Sequence, residues 1–317
     1  MSSAEQKPYR RGFMREYFLW LFKTATLIVL LLVGVPLFLA AVVTGIQASE
    51  ATTGAKDGKV VAVVELVGAI MDSKDVVAQL YKSAHDDKVA GIVLRVDSPG
   101  GAVGPSQEVY EAVKKLKLFK PIIVSMGGVA ASGGLYASMG ATKVYANSGT
   151  ITGSIGVIMQ FPNFEKIADT VGFKMVTVKS GKLKDVGNPF RPISEAESVY
   201  LQETIDAAQE QFVAAVADGR GIDATKVREF ADGRIFTGLK AKELGIVDEI
   251  GGLYDAARMI FEINKSPLAE DEVPKLVYPG DKFGRFKDLI AWTGITSLDT
   301  QVSRLFQSGG LYSTFPQ

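Results

Sequence analysis

One serine is set apart from the others by its neighbours. In Ala130-Ala131-Ser132-Gly133-Gly134 it lies between small residues. The apolar run 121–126 (PIIVSM) leads through Gly127 and Gly128 into this segment, which should open a helix. A hydroxyl at such a junction can be approached closely. The helix N-terminus behind it offers unpaired N–H groups and the positive end of a dipole. The amide of Gly133, directly after the serine, is a candidate to bind a developing oxyanion. A second loop, Ser98-Pro99-Gly100-Gly101, follows the strand-like run 90–96 (AGIVLRV). Open α/β sheets bind ligands at such C-terminal strand ends. Gly100 and Gly101 leave backbone N–H groups unshielded, so either can supply a second donor. Taken singly, each segment reads as close packing or an ordinary tight turn. Together they fit a two-amide oxyanion hole fed by separate strands.

A serine hydroxyl becomes a nucleophile only beside a base. The chain has no cysteine and one histidine, His85. That residue sits among Ala84, Asp86, Asp87 and Lys88 in what reads as a polar helix end on the surface, which disfavours a Ser-His-Asp triad. The remaining candidate is a lysine kept neutral by burial, able to accept the proton. Lys179, Lys182 and Lys184 cluster in Val178-Lys179-Ser180-Gly181-Lys182-Leu183-Lys184-Asp185. Spacing does not choose among them.

Composition narrows the remaining classes. Hydrophobic residues make up 47% of the 317 and charged residues 22%, enough apolar material for a full core. With 35 basic and 35 acidic side chains the net charge is zero, so no basic field points to a nucleic-acid partner. The absence of cysteine excludes a thiol nucleophile, disulfides, thiolate metal sites and a lipid-anchor cysteine.

These groups need a scaffold, and the hydrophobic pattern predicts one. The uncharged run 24–46 would span roughly 34 Å as a helix, enough to cross a bilayer core. Lys7, Arg10, Arg11, Arg15 and Lys23 precede it against Glu5 and Glu16, a bias that places the N-terminus in the cytoplasm. A cleaved signal peptide is the alternative, but the run is long for one. Residues 47–58 read as a linker. Beyond it, 59–70 reads as a buried strand and 73–87 as a helix. A third element, a helix, starts at Pro105 with Val109, Val113 and Leu116 on one stripe. Strands alternating with helices indicate a parallel sheet covered by helices. Ser194 and Glu197 form a capping-box pattern before a helix expected to bury Leu201, Ile205, Ala208, Phe212 and Val216. From 266 to 317 the chain reads as a peripheral tail.

Five segments in this order resemble the bacterial signal peptide peptidase (SppA) family. They are LRVDSPGG (94–101), SMGGVAASGGLYAS (125–138), TGSIGV (152–157), VKSGKLKDVGNPFR (178–191) and RIFTGLKAKELGIVDEIGG (234–252). Gly128 departs from the family pattern, where a polar or acidic residue is common. The resemblance implies an α/β fold like that of Clp proteases and crotonases, built of repeated ββα units over 59–265. It implies Ser132 as nucleophile, Lys184 as general base and Ser154 as the hydroxyl orienting the lysine. Gly133 and the Gly100-Gly101 turn, with Gly101 favoured, become the oxyanion donors. No metal or organic cofactor is implied. The expected activity is hydrolysis of signal peptides and other apolar peptides left in the membrane after secretion. The expected setting is the inner (cytoplasmic) membrane, with the catalytic domain on its extracytoplasmic, periplasmic side. The resemblance also implies a homo-oligomer whose dyad is shared between protomers. A crotonase-type acyl-CoA enzyme and a catalytically silent scaffold are the alternatives. His85→Ala is expected to keep peptide hydrolysis within about twofold of the parent, as surface substitutions usually do. A loss matching that of Ser132→Ala would assign the base to histidine.

Overall fold

The computed structural model describes residues 11–34 and 60–279. The chain divides between Gly58 and Lys59 into two units. In the first, helix α1 (Arg11–Val29) runs into a π-helical turn, Leu30–Gly34. Phe18, Trp20, Phe22 and Leu27 stand exposed along it. Among the described residues no helix is long and apolar enough to cross a membrane. The expected span 24–46 continues into residues 35–46, which lie outside the described residues, as do the linker 47–58 and most of the tail.

The second unit is a mixed sheet of eight strands. Strands β1 (Val60–Val67), β2 (Val89–Ser98) and β3 (Ile122–Ala131) are parallel neighbours at its centre. Helix α2 (Lys74–Ala84) connects the first pair and α3 (Val103–Leu116) the second. Side chains alternate across a pleated strand, so a strand buried on both faces is apolar at successive positions. Ala62, Val64, Ile92, Leu94, Ile122 and Val124 face one core, shared with Leu80, Val109, Val113 and Leu116. Val61, Val93 and Ile123 face the other, covered by Ala256, Ala257 and Ile260 of helix α9 (Leu253–Ile263).

Several boundaries shift from the sequence expectation. Strand β2 extends through Asp97 and Ser98, carrying Ser98 into the sheet rather than the turn. Helix α3 begins at Val103, so Pro105 lies in its first turn, where a missing N–H breaks no helical bond. Residues after 265 are not wholly peripheral: β8 (Leu276–Val277) pairs with Val61 and Ala62 at the sheet edge.

Strand β3 changes partners along its length. Its first half pairs with β4 (Lys143–Ala146) and its second with β5 (Ile151–Gly153). Against β2 the register passes from Val96–Met126 to Ser98–Ala130, four steps opposite two. This bulge at Gly127-Gly128 re-aims the end of the strand. The Asp97 carboxylate accepts the Val129 amide at 3.0 Å, and the Thr150 hydroxyl donates to the Gly127 carbonyl at 2.7 Å.

After helix α4 (Gly133–Ser138) and the short α5 (Glu165–Thr170), the long helix is α6 (Glu195–Arg220). Its capping box forms as expected: Ser194 Oγ accepts the Glu197 amide and Glu197 accepts the Ser194 amide. Burial does not follow the expected stripe. Phe212, Val213, Ala215 and Val216 are buried, whereas Leu201, Ile205 and Ala208 are only half-buried. The first half of α6 reaches past the core. Its last turn comes close to α4, where a Cβ on Gly219 would sit 2.1 Å from the Met139 carbonyl oxygen. Gly219→Ala should therefore lower stability by about 1–3 kcal/mol instead of gaining helix propensity. A thermal melt equal to or above the parent's would show that this contact relaxes freely.

Candidate active site

Strand β3 ends at Ala131 and α4 begins at Gly133, so Ser132 alone takes the reversal. It does so at φ 51°, ψ −121°, a sparsely populated conformation for a residue with a Cβ. Two backbone hydrogen bonds hold it. Its amide donates to the Gly153 carbonyl on β5, and its carbonyl accepts the Tyr136 amide in α4, each at 2.9 Å. A side chain on Gly133 would meet Ser106 Oγ at 2.3 Å, and one on Gly134 would meet the Ser98 carbonyl at 2.8 Å. The small residues seen in the sequence are steric requirements of this turn.

The glycine loop after β2 packs directly against it. Gly100 has φ 101°, and a Cβ there would lie 2.7 Å from the Gly133 nitrogen and 2.8 Å from Ser132 Cβ. The two loops therefore touch. The Gly100 amide donates to Ser98 Oγ at 3.1 Å, while that hydroxyl donates to the Gly68 carbonyl at 2.6 Å. Gly101 forms a parallel bridge with Ile70, through Ile70 N–H to the Gly100 carbonyl and Ala102 N–H to the Ile70 carbonyl. In that pattern the N–H of Gly101 itself points away from Ile70. Of the two glycines, Gly100 has its amide occupied and Gly101 has its amide turned outward.

Ser154 follows β5 as Ser132 follows β3. Because Ala131 and Gly153 are register partners, the two serines end adjacent strands, about 4.8 Å apart in a sheet. Ser154 also has positive φ, 52°, and its amide donates to the Arg234 carbonyl at 2.8 Å. It is half-buried.

The structure thus brings Ser132, Gly133, Gly100, Gly101 and Ser154 together, and among the described residues no hydrogen bond ties Lys184 to them. Lys184 closes a turn onto the Gly181 carbonyl within 171–193, a stretch without helix or strand. Its side chain is exposed, and among the described residues its Nζ has no hydrogen-bond partner. Lys179 is engaged with Asp185 and the Lys182 carbonyl. Lys179 and Arg191 together hold the Asp185 carboxyl well below the usual carboxylate range. His85 is exposed, sits against the Tyr81 carbonyl at 2.8 Å, and stacks on the Tyr81 ring. It lies before the start of β2, about 30 Å of strand from the glycine loop. Among the described residues no group of three or more His, Cys, Asp or Glu could hold a metal ion.

Sequence reasoning named Ser98 only as part of a turn and did not single out Asp97, Ser106 or Arg191. Ser98 and Ser106 are almost completely buried. Their position two and ten residues past Val96 carries no signal without the sheet. Arg191 stood inside a recognised motif, but its carboxylate partners become visible only when the chain is folded.

A serine on a sharp strand-to-helix turn, faced by a glycine loop from the neighbouring parallel strand, is built for acyl transfer, and the protein is a serine peptidase. Residues 114–265 match Peptidase family S49, and residues 57–152 match Clp protease. The chain is 44% identical over 199 residues to a protein of Synechocystis sp. described as a protease, covering 62% of this chain and 72% of that one. It is 43% identical over 179 residues to an Enterococcus faecium protein bearing the name signal peptide peptidase SppA, covering 56% and 52%. With Protease 4 of Haemophilus influenzae it shares 36% identity over 206 residues, covering 62% of this chain and 33% of that relative. The chain therefore spans about half of the second relative and a third of the third. It belongs to peptidase family S49, among the SppA-type proteases.

Gly100→Ala should reduce kcat/KM by roughly 100-fold, because the methyl displaces the turn that carries Ser132. Activity near the parent's, in a folded variant, would show that the two loops do not depend on each other.

Proposed function

We propose that this chain is a membrane-anchored endopeptidase that hydrolyses residual signal peptides and other apolar peptides through a Ser132–Lys184 dyad. Ser132 Oγ attacks the peptide carbonyl as its proton passes to Lys184 Nζ. The amides of Gly133 and Gly101 hold the oxyanion, with Gly100 fixed by Ser98. Lys184 returns the proton to the leaving amine, and water then hydrolyses the acyl-enzyme. Ser154 Oγ orients the lysine amine. The observation that carries this reading is the contact between the Ser132 turn and the Gly100-Gly101 loop.

Lys184 works in trans, from a neighbouring protomer. A lysine base needs desolvation, and a single chain leaves Lys184 exposed. The surrounding stretch is also apolar and uncovered, with Val176 87% and Val178 95% exposed. Burying such surface between copies supplies both association energy and the dry setting the amine requires. The basic N-terminus and the apolar run 24–46 support an anchor in the cytoplasmic membrane with the peptidase unit outside. A relative named as a signal peptide peptidase supports the substrate class.

Ser132→Ala and folded Lys184→Ala should each lack peptide hydrolysis, and mixing the two should restore part of it at hybrid boundaries. Retained turnover in either variant alone would overturn the dyad. Failure to complement, with mixed assemblies verified by mass, would place both residues in one chain.

A further inference from the structure

Lys184 sits in a stretch with no regular structure, yet a base must be held within a fraction of an ångström of its working position. Short turns alone, such as Val186 N–H to the Leu183 carbonyl and Asn188 N–H to the Asp185 carbonyl, do not tie this loop to the core. We propose that Arg191 is the positioning residue for the base, clamping the Lys184 loop onto the N-terminus of α6. This rests on the reading of Lys184 as the base.

All five guanidinium N–H groups are committed. Nε donates to the Asp185 carboxylate at 3.1 Å, and Nη2 to the Asp185 carbonyl at 3.0 Å. The same Nη2 donates to one Glu197 oxygen at 2.6 Å, and Nη1 to the other at 2.8 Å. Nη1 also donates to the Pro192 carbonyl at 3.0 Å. One side chain thus grips both the backbone and the carboxylate of the residue next to Lys184.

The other end of the clamp is rigid. Glu197 is 4% exposed and closes the capping box of α6, accepting the Ser194 amide at 2.9 Å and the Ser194 hydroxyl at 3.0 Å. Arg191 and the Ser194 amide together hold its carboxyl down to about 2. A forked, doubly bidentate contact fixes direction as well as distance, which an ammonium cannot do. Arg191 and Lys179 also engage the Asp185 carboxylate, which keeps it from pairing with the neighbouring Lys184.

The test measures kcat, KM and the rate of fluorophosphonate labelling of Ser132 in the full chain. Arg191→Ala and Arg191→Lys should each lose about 100-fold in kcat, the scale of an ångström-level misplacement, with KM and assembly mass near the parent's. Added to Lys184→Ala, either change should cause no further loss of labelling, since the group it positions is already gone. If Arg191→Ala does not fold, Arg191→Lys carries the same comparison. Parent-like kcat, a loss confined to KM, or an additive loss on top of Lys184→Ala would overturn the clamp. Inactive Lys184→Ala beside parent-like Arg191→Lys sinks the clamp alone. Parent-like turnover in folded Lys184→Ala sinks the base assignment and the clamp with it.

Discussion

The strained turn at Ser132 is the constraint to which the rest of the second unit answers. A residue with a Cβ held at φ 51° relaxes unless its surroundings over-determine it. Pairing of β3 with β5 fixes it from one side, α4 continues directly from it, and Gly100 packs against it from β2. Two of these supports come from different strands and the third from a helix, so the turn depends on the assembled sheet. The sheet in turn is held by two cores, one on each face, whose helices cover β1, β2 and β3.

Getting β3 to reach β5 requires a change of direction in mid-strand. The bulge at Gly127-Gly128 provides it, and the Asp97 carboxylate and the Thr150 hydroxyl take up the backbone groups that the ladder no longer pairs. Ser98 does similar work one strand away. Buried at the end of β2, it links the Gly68 carbonyl to the Gly100 amide and so selects which glycine presents a free N–H. Orienting the proposed oxyanion donors is therefore a backbone problem solved by buried hydroxyls and one carboxylate.

The proposed base poses the opposite problem. Ser132 and the glycine amides beside it sit on the most heavily supported part of the sheet, whereas Lys184 lies on an open segment with exposed apolar neighbours. Such a segment gains order from contact with another surface, and a lysine gains basicity from the same burial. In the proposed assembly one event would accomplish both, coupling catalytic competence to association. Until then the Arg191 clamp is what ties the loop to α6.

The sequence alone determined the alternation of strands and helices, because buried strands must be apolar at successive positions and the connecting helices carry their stripes at helical spacing. It also isolated the Ser132 and Gly100-Gly101 segments, since only small residues fit where backbones approach this closely. The capping box before α6 was legible because its two partners are three residues apart. Long-range geometry was not. That β3 outruns its expected end and bulges, that Leu276–Val277 joins the sheet, and that Leu201 and Ile205 lie beyond the core depend on contacts between distant segments. The different surroundings of the Gly100 and Gly101 amides became visible only in the fold, where the nearby Ser98 hydroxyl takes the Gly100 amide and the distant Ile70 bridges Gly101. A side chain's partners are set by where the fold brings them, and spacing along the chain carries that information only for neighbours within a helical turn or across a tight bend.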